Sequence, residues 1–382
     1  MRLSYFLLGV VLALFGCKGR SDSTVVPEVK DVRKDSFTIY ASGFRVQKLG
    51  SLTLVTVTDP WQQSKNMIFR YVLAPEAEQV PDSLKNIPFI KTPINRAIAL
   101  STTHVAMIDQ LESSESIVGL SGADFIYSPT IRSRLESGEI KDVGYGQGLD
   151  FEAIVRLNPD VVFLYGVEGN VMTTLEKLRD LEIPAVFCGE YLETHPLGKA
   201  EWIRFFSLFY NKEEQSAYFF NQIDSAYNAL SLIASKVHSK PQVLNGLPWK
   251  DTWYMAGGKS FAAKLMEDAS GDYLWRDSPS TQALPLDLES VYIRAVNADV
   301  WINPGAAGSL ADILQLDERL GELDVLKMGQ VFNNNARVSA GGGNDYWESG
   351  TVRPDLVLAD LIQVFHPDLL TDHSFVYYRQ LK

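Results

Sequence analysis

Two glutamates stand in the same short phrase 137 positions apart: Glu152 in Leu149-Asp150-Phe151-Glu152-Ala153-Ile154-Val155 and Glu289 in Leu286-Asp287-Leu288-Glu289-Ser290-Val291. The first copy runs on to Asn158-Pro159-Asp160-Val161-Val162-Phe163, and the second to Asn297-Ala298-Asp299-Val300-Trp301-Ile302 after two more residues. Each reads as a helix entered through an Asp N-cap, then a turn and a buried strand. A glutamate in the first turn opposes the positive end of the helix dipole, worth roughly 0.3–1 kcal/mol. That local chemistry accounts for one such glutamate. Recurrence in both halves points to two similar lobes, each presenting one carboxylate at an equivalent place.

Other chemistry-bearing residues are sparse. The five histidines, at 104, 195, 238, 366 and 373, include no pair at metal-ligand spacing, so no metal site is expected. Gly257-Gly258-Lys259-Ser260 fails as a phosphate loop, because Trp253 occupies the place of the first glycine; it reads as a tight turn into a helix capped by Ser260. Gly119-Leu120-Ser121-Gly122-Ala123 misses the nucleophile-elbow pattern by one position. No nucleophile–base pair or cofactor motif appears, so the chain reads as a non-enzyme without cofactors.

The elements that must position these residues follow from periodicity. From Phe37 to Pro75, β-branched and aromatic residues alternate with polar ones, as in Phe37-Thr38-Ile39-Tyr40, Leu52–Val57 and Ile68–Leu73, which predicts a β-meander. From Pro93 onward short strands (Ala97–Leu100, Ile117–Leu120, Val161–Tyr165, Ala185–Phe187) alternate with helices, implying a parallel sheet. Glu190 to Ser235 is the longest helical stretch, interrupted early by Pro196 and breaking near Asn211-Lys212. The second half repeats the first, with a strand Gln242–Asn245, a helix Ser260–Met266, the second phrase, a helix Asp317–Leu326, a strand Val331–Asn333 and a last helix begun by Pro354.

A cleft should lie beyond the carboxyl ends of the strands. The loops there carry His104, Tyr127, Tyr145, and Trp249, Trp253 and Tyr254; Arg276, with Trp275, lies in the loop before Leu286. These are the candidate ligand-binding residues, the aromatics suiting a large flat ligand by stacking. Tyr346 and Trp347, after Gly341-Gly342-Gly343, are open to either a cleft or a packing role.

At the N-terminus, Arg2 and the 14-residue apolar run Leu3–Gly16 suit a signal peptide and are too short to span a bilayer. Leu14-Phe15-Gly16-Cys17 resembles a bacterial lipobox, which would make Cys17 the lipidated residue; Lys18–Ser36 then reads as a tether. Cys188, the other of two cysteines, sits in a strand-like apolar run, so no disulfide framework exists. A net charge of −12 without a basic stripe argues against nucleic acid.

The order of Arg96–Ser101, Ile117–Ser121, the two repeated phrases, Gly257–Leu265 and Asp268–Gly271 resembles the periplasmic substrate-binding proteins of ABC importers for iron complexes and vitamin B12, over about residues 93–370. The resemblance implies the helical-backbone class: an α/β fold of two Rossmann-like lobes joined by a long helix, with ligand between them. It implies that Glu152 and Glu289 dock onto arginines of a permease dimer. The meander is an addition to lobe one. The expected organisation is a signal peptide (1–16), a lipid-anchored tether (17–36), the β-meander extension (37–90), an N-terminal lobe (91–190), a connecting helix (191–236) and a C-terminal lobe (237–382). The expected role is delivery of an iron-siderophore or haem from the periplasm or cell envelope. The alternatives are a corrinoid ligand, a lipoprotein enzyme acting on metal chelates, and a scavenger lipoprotein without a permease.

Overall fold

Alternation of apolar residues folds the first described stretch into a sheet. In the computed structural model, which describes residues 37–167 and 171–382, strands β1 (Phe44–Leu49), β2 (Leu52–Thr58) and β3 (Ile68–Ala74) pair antiparallel, and β4 (Phe89–Lys91) joins β3 in parallel. Gly50 makes the two-residue turn between Leu49 and Leu52 at φ +65°, a backbone region that favours glycine. One face (Val55, Val57, Tyr71, Leu73) joins the main core; the other (Leu52, Val72, Ala74) covers a small cluster with Val80.

Phe37–Tyr40 is not the expected strand. The backbone N–H groups of Ile39, Tyr40 and Ala41 donate to the Glu201 carboxylate, and those of Ser42 and Gly43 donate to Glu193. Two side chains thus take the donors that a neighbouring strand would have taken. The signal-peptide, lipidation and tether expectations at 1–36 lie outside the described residues.

Two parallel sheets follow. In the first lobe, β5 (Ala97–Ala99), β6 (Ile117–Leu120), β7 (Lys141–Asp142), β8 (Val161–Tyr165) and β9 (Ala185–Cys188) lie in the order β7-β6-β5-β8-β9. Helices α1 (Thr102–Gln110), α2 (Pro129–Glu136), α3 (Phe151–Leu157) and α4 (Val171–Asp180) connect them. The chain first builds outward from β5 on one side, then returns to its other side. The carboxyl end of β5 is therefore the switch point. Cys188 is buried in β9, and burial pushes its thiol well above the usual range.

The connecting stretch is two helices, broken at the expected Asn211-Lys212. Pro196 does not interrupt; it is the first residue of α5 (Pro196–Tyr210), where a missing N–H costs nothing. Asn211, left-handed at φ 55°, ends α5, and α6 (Glu213–Ala234) restarts the run. Trp202, Phe205, Phe206 and Phe209 are fully buried, and Phe163 of β8 packs tilted against Phe206, ring centroids 4.8 Å apart. α5 also packs against helices of the second lobe, so it is the wall shared by both.

The second lobe holds β10 (Gln242–Asn245), β11 (Pro248–Trp249), β12 (Thr252–Met255), α7 (Phe261–Asp268), β13 (Asp272–Tyr273), β14 (Leu284–Asp287), α8 (Leu288–Ala295), β15 (Val300–Ile302), α9 (Leu310–Leu316), α10 (Asp324–Lys327), β16 (Val331–Asn333), α11 (Ser349–Val352), α12 (Pro354–Phe365) and β17 (Arg379–Gln380). Its main sheet runs β13-β10-β15-β16-β17, with only β17 antiparallel, and β11-β12-β14 form a separate small sheet. The helix expected over Asp317–Leu326 is instead a tight turn at Glu318–Glu322 followed by the short α10. The fold is α/β, two parallel-sheet lobes with an N-terminal antiparallel sheet. Among the described residues no helix is long and apolar enough to cross a membrane.

Candidate ligand cleft and exposed carboxylates

The switch point opens into a cleft of about 410 Å³. From the first lobe come Leu100–Thr103 at the end of β5, Ser121 after β6, Tyr145, Tyr165 at the end of β8 and Tyr191. Phe261, Asn344 and Trp347 of the second lobe face them, and Lys199 of α5 closes the space from behind. Ser101 caps α1, its Oγ accepting from the Thr103 N–H at 3.3 Å and lying 2.8 Å from Thr103 Oγ1. Thr103 Oγ1 donates in turn to the buried Glu190 Oε1 at 2.6 Å, with His104 Nε2 3.6 Å from the same oxygen.

Burial raises the Glu190 pKa, but His104, Thr103 and Lys199 outweigh it and hold the carboxyl below its usual range. The same anion works against ionising its neighbours. Burial first and Glu190 second push the Tyr165 phenol far above its ordinary value, and Tyr191, stacked edge-on at 5.0 Å, is pushed up to about 12 mainly by burial. Both therefore stay neutral phenols at pH 7, able to donate as well as accept.

The lobes meet at one rim of this space. Glu348, buried at the start of α11, accepts the N–H of Tyr127 at 2.7 Å and of Ser128 at 2.9 Å from the first lobe. Burial outweighs these two donors and pushes its carboxyl up to about 7. Arg337 donates to the Tyr127 hydroxyl at 3.4 Å. Gly343 lies so close to the Phe125–Ile126 backbone that a Cβ there would meet Phe125 C at 2.6 Å, so only glycine permits the approach.

Glu152 and Glu289 occupy the first turns of α3 and α8, with side chains 89% and 71% exposed. Asp150 caps α3 by accepting from the Ala153 N–H (2.9 Å), and Asp287 caps α8 from the Ser290 N–H (2.7 Å).

Of the seven candidate ligand residues, only Tyr145 lines the cleft. Tyr127 sits at the lobe contact, its ring 5.1 Å from the Arg337 guanidinium. The expectation for Trp253 is corrected: it is 0% exposed, tilted against Trp301 at 5.6 Å, with Nε1 donating to the Asn245 carbonyl. The loop after β10 does not stay a loop. It folds into the β11–β12 hairpin, which turns Trp253 inward and leaves Trp249 and Tyr254 exposed outside the cleft lining. His104 is buried beneath the cleft wall rather than on it. Arg276 pairs with Asp272 in a different hollow, with His238, Lys240 and Glu267.

The reading of the sequence missed Lys199, Tyr165, Tyr191 and Phe261. Lys199 had a signal: with Glu201 and Arg204 it is a charge inside a largely apolar helical run, an expensive placement unless each has a partner or a ligand. Among the described residues no group of three or more His, Cys, Asp or Glu side chains could hold a metal ion.

The sequence profile of a periplasmic binding protein family matches residues 98–337. An uncharacterised lipoprotein of Methanocaldococcus jannaschii is 29% identical over 314 residues, covering 78% of this chain and 73% of its own. Two solved structures share the fold. The molybdate-binding periplasmic protein of Haemophilus influenzae aligns at TM-score 0.58 and 17% identity, covering 75% of this chain and 90% of its own. A possible iron-binding periplasmic solute-binding protein from Staphylococcus epidermidis aligns at TM-score 0.55 and 17% identity, covering 72% and 99%.

Proposed function

The chain belongs to the periplasmic binding protein family, and from that premise we propose that it captures an iron complex, a ferric siderophore or haem, and delivers it to the permease dimer of an ABC importer. It binds solute and is not an enzyme. The observation that carries the ligand reading is the cleft: neutral phenols and hydroxyls on one lobe face Phe261 and Trp347 on the other, at the switch point of a parallel sheet. Neutral Tyr165 and Tyr191 suit donation to the oxygens of an assembled chelate better than direct ligation of a bare ferric ion, which needs phenolate. At about 410 Å³ the space lies at the lower end of small-molecule sites, roughly 300–1,000 Å³. That favours a compact chelate over a corrinoid with its nucleotide arm.

Delivery rests on Glu152 and Glu289. One exposed carboxylate per lobe, each at a capped helix start, gives a partner's arginines two fixed points for register. The anchor is Cys17, a reading supported by the Methanocaldococcus relative being named a lipoprotein. Tyr145 belongs to the ligand wall and Tyr127 to the lobe contact that frames it. The test is the visible spectrum of the purified protein titrated with haemin, ferric siderophores and cyanocobalamin. Saturable binding of an iron complex with quenching of Trp347 supports the reading. Binding of cyanocobalamin alone replaces it with the corrinoid alternative.

A further inference from the structure

Among the described residues Lys199 is the one charged side chain on the cleft lining, and it is only 8% exposed. Among the described residues no acceptor hydrogen-bonds its ammonium and no carboxylate lies within ion-pair distance; the ammonium lies over the face of Phe261, 4.6 Å from the ring centroid. Glu190, the anion it senses, does not pair with it. One oxygen of Glu190 takes the Thr103 hydroxyl, and the other has no hydrogen-bond partner among the described residues. Lys199 shares the cleft lining with three further groups: the capped N-terminus of the nine-residue α1, the hydroxyls of Ser101 and Ser121, and the phenol of Tyr165. The first-turn N–H groups of a helix are left without intrahelical acceptors and favour negative charge.

We propose that Lys199 is an anion-recognition point of the cleft, so that the solute carries a negatively charged oxygen group seated between the Lys199 ammonium and the start of α1. The inference deepens the solute-binding reading and rests on it. Burial holds Lys199 below its ordinary pKa, with Glu190 opposing, so the fold leaves this cation poorly solvated and, among the described residues, without an ion-pair partner. An incoming anion relieves both conditions at once. The shared chemistry is an anionic oxygen, whether a carboxylate or catecholate of an iron chelate or a tetrahedral oxyanion.

The experiment compares wild type, Lys199→Met and Lys199→Arg by calorimetry and tryptophan fluorescence, with circular dichroism to establish that each variant folds. The anionic probes are ferric citrate, haemin and molybdate; the uncharged ones are a neutral ferric trihydroxamate and cyanocobalamin. The expected result is that at least one anionic probe binds wild type, weakens roughly 10- to 100-fold in Lys199→Met and largely recovers in Lys199→Arg. Lys199-dependent binding of molybdate alone supports the inference while removing the iron-complex reading. Binding of the uncharged ferric complex alone, indifferent to Lys199→Met, keeps the iron-complex reading and overturns the inference. Unchanged affinity in Lys199→Met of every anionic probe that binds wild type, or no binding of any anionic probe to wild type, also overturns it.

Discussion

The two copies of the repeated phrase are alike in sequence and unlike in setting. Glu152 on α3 faces Arg156, one turn along the same helix, at 3.7 Å, with both side chains largely in solvent. Such an i,i+4 contact needs no tertiary structure and contributes a few tenths of a kcal/mol at most. Glu289 on α8 faces Arg319, 30 positions away, at 3.3 Å; Arg319 is itself fixed by Asp317 at 2.7 Å. Beside that pair lies a hollow of about 400 Å³ lined by Leu288, Tyr292 and Ile293, the last 72% exposed. One lobe thus presents a charge paired, among the described residues, only along its own helix, beside the half-exposed Val155. The other presents a charge held in place at the rim of an apolar surface. Equal motifs do not make equal contacts; neighbours brought by the fold decide how much apolar area accompanies each charge.

The largest effect is expected from reversing both charges. Glu152→Lys with Glu289→Lys should abolish solute uptake in cells while leaving solute affinity of the purified protein unchanged; continued uptake would remove the docking assignment. Single changes separate the copies. Glu289→Ala and Ile293→Asp should each weaken permease binding in nanodiscs by about tenfold or more, and Glu152→Ala by less, because the second lobe adds the larger apolar surface to its charge. Equal losses at the two glutamates would break the comparison.

A third prediction concerns the contact that holds the two copies at a fixed separation. Glu348 titrates near 7 in the folded protein, above the ordinary carboxyl value. A raised folded pKa gives stability that is full below the unfolded pKa and is lost as pH rises through about 7. The melting temperature should therefore fall by on the order of 3 °C between pH 5.5 and pH 8, and Glu348→Gln should flatten that slope. The smallest effects are at the caps. Asp150→Ala and Asp287→Ala should each lower the melting temperature by roughly 1–2 °C. Asp287 accepts from both the N–H and the Oγ of Ser290, which hold its carboxyl below the ordinary range. Its contribution is present above the unfolded pKa and fades as pH falls through the folded one, so only acid melts of Asp287→Ala should converge on wild type.

Much of this was legible in the chain. Asp150, Asp287 and Ser260 were recognisable as caps because a cap depends on residues three apart. The strands Gln242–Asn245 and Ile117–Leu120 and the aromatic helix face were recognisable because periodicity is local. Tyr145 could be placed beside the cleft because strand ends mark it. Trp253 could not, because its loop was free to fold into a hairpin. Phe37–Tyr40 alternates like a strand, yet Glu201, some 160 residues later, takes the N–H groups of Ile39 and Tyr40. His104 has nothing in its neighbouring residues to say that it is buried beside Glu190, whereas Arg276 is spent on Asp272, only four residues before it.

The sequence by itself determined the alternation of elements, the duplication and the two capped carboxylates, since hydrogen bonds and side-chain periods within a few residues enforce them. Only the tertiary structure decided what fills the space between the lobes. Whether Lys199 finds a carboxylate, and which aromatic ring turns inward, depends on contacts between segments far apart in the chain. That is why the two glutamates could be found by reading, and why the lysine between the lobes required the fold.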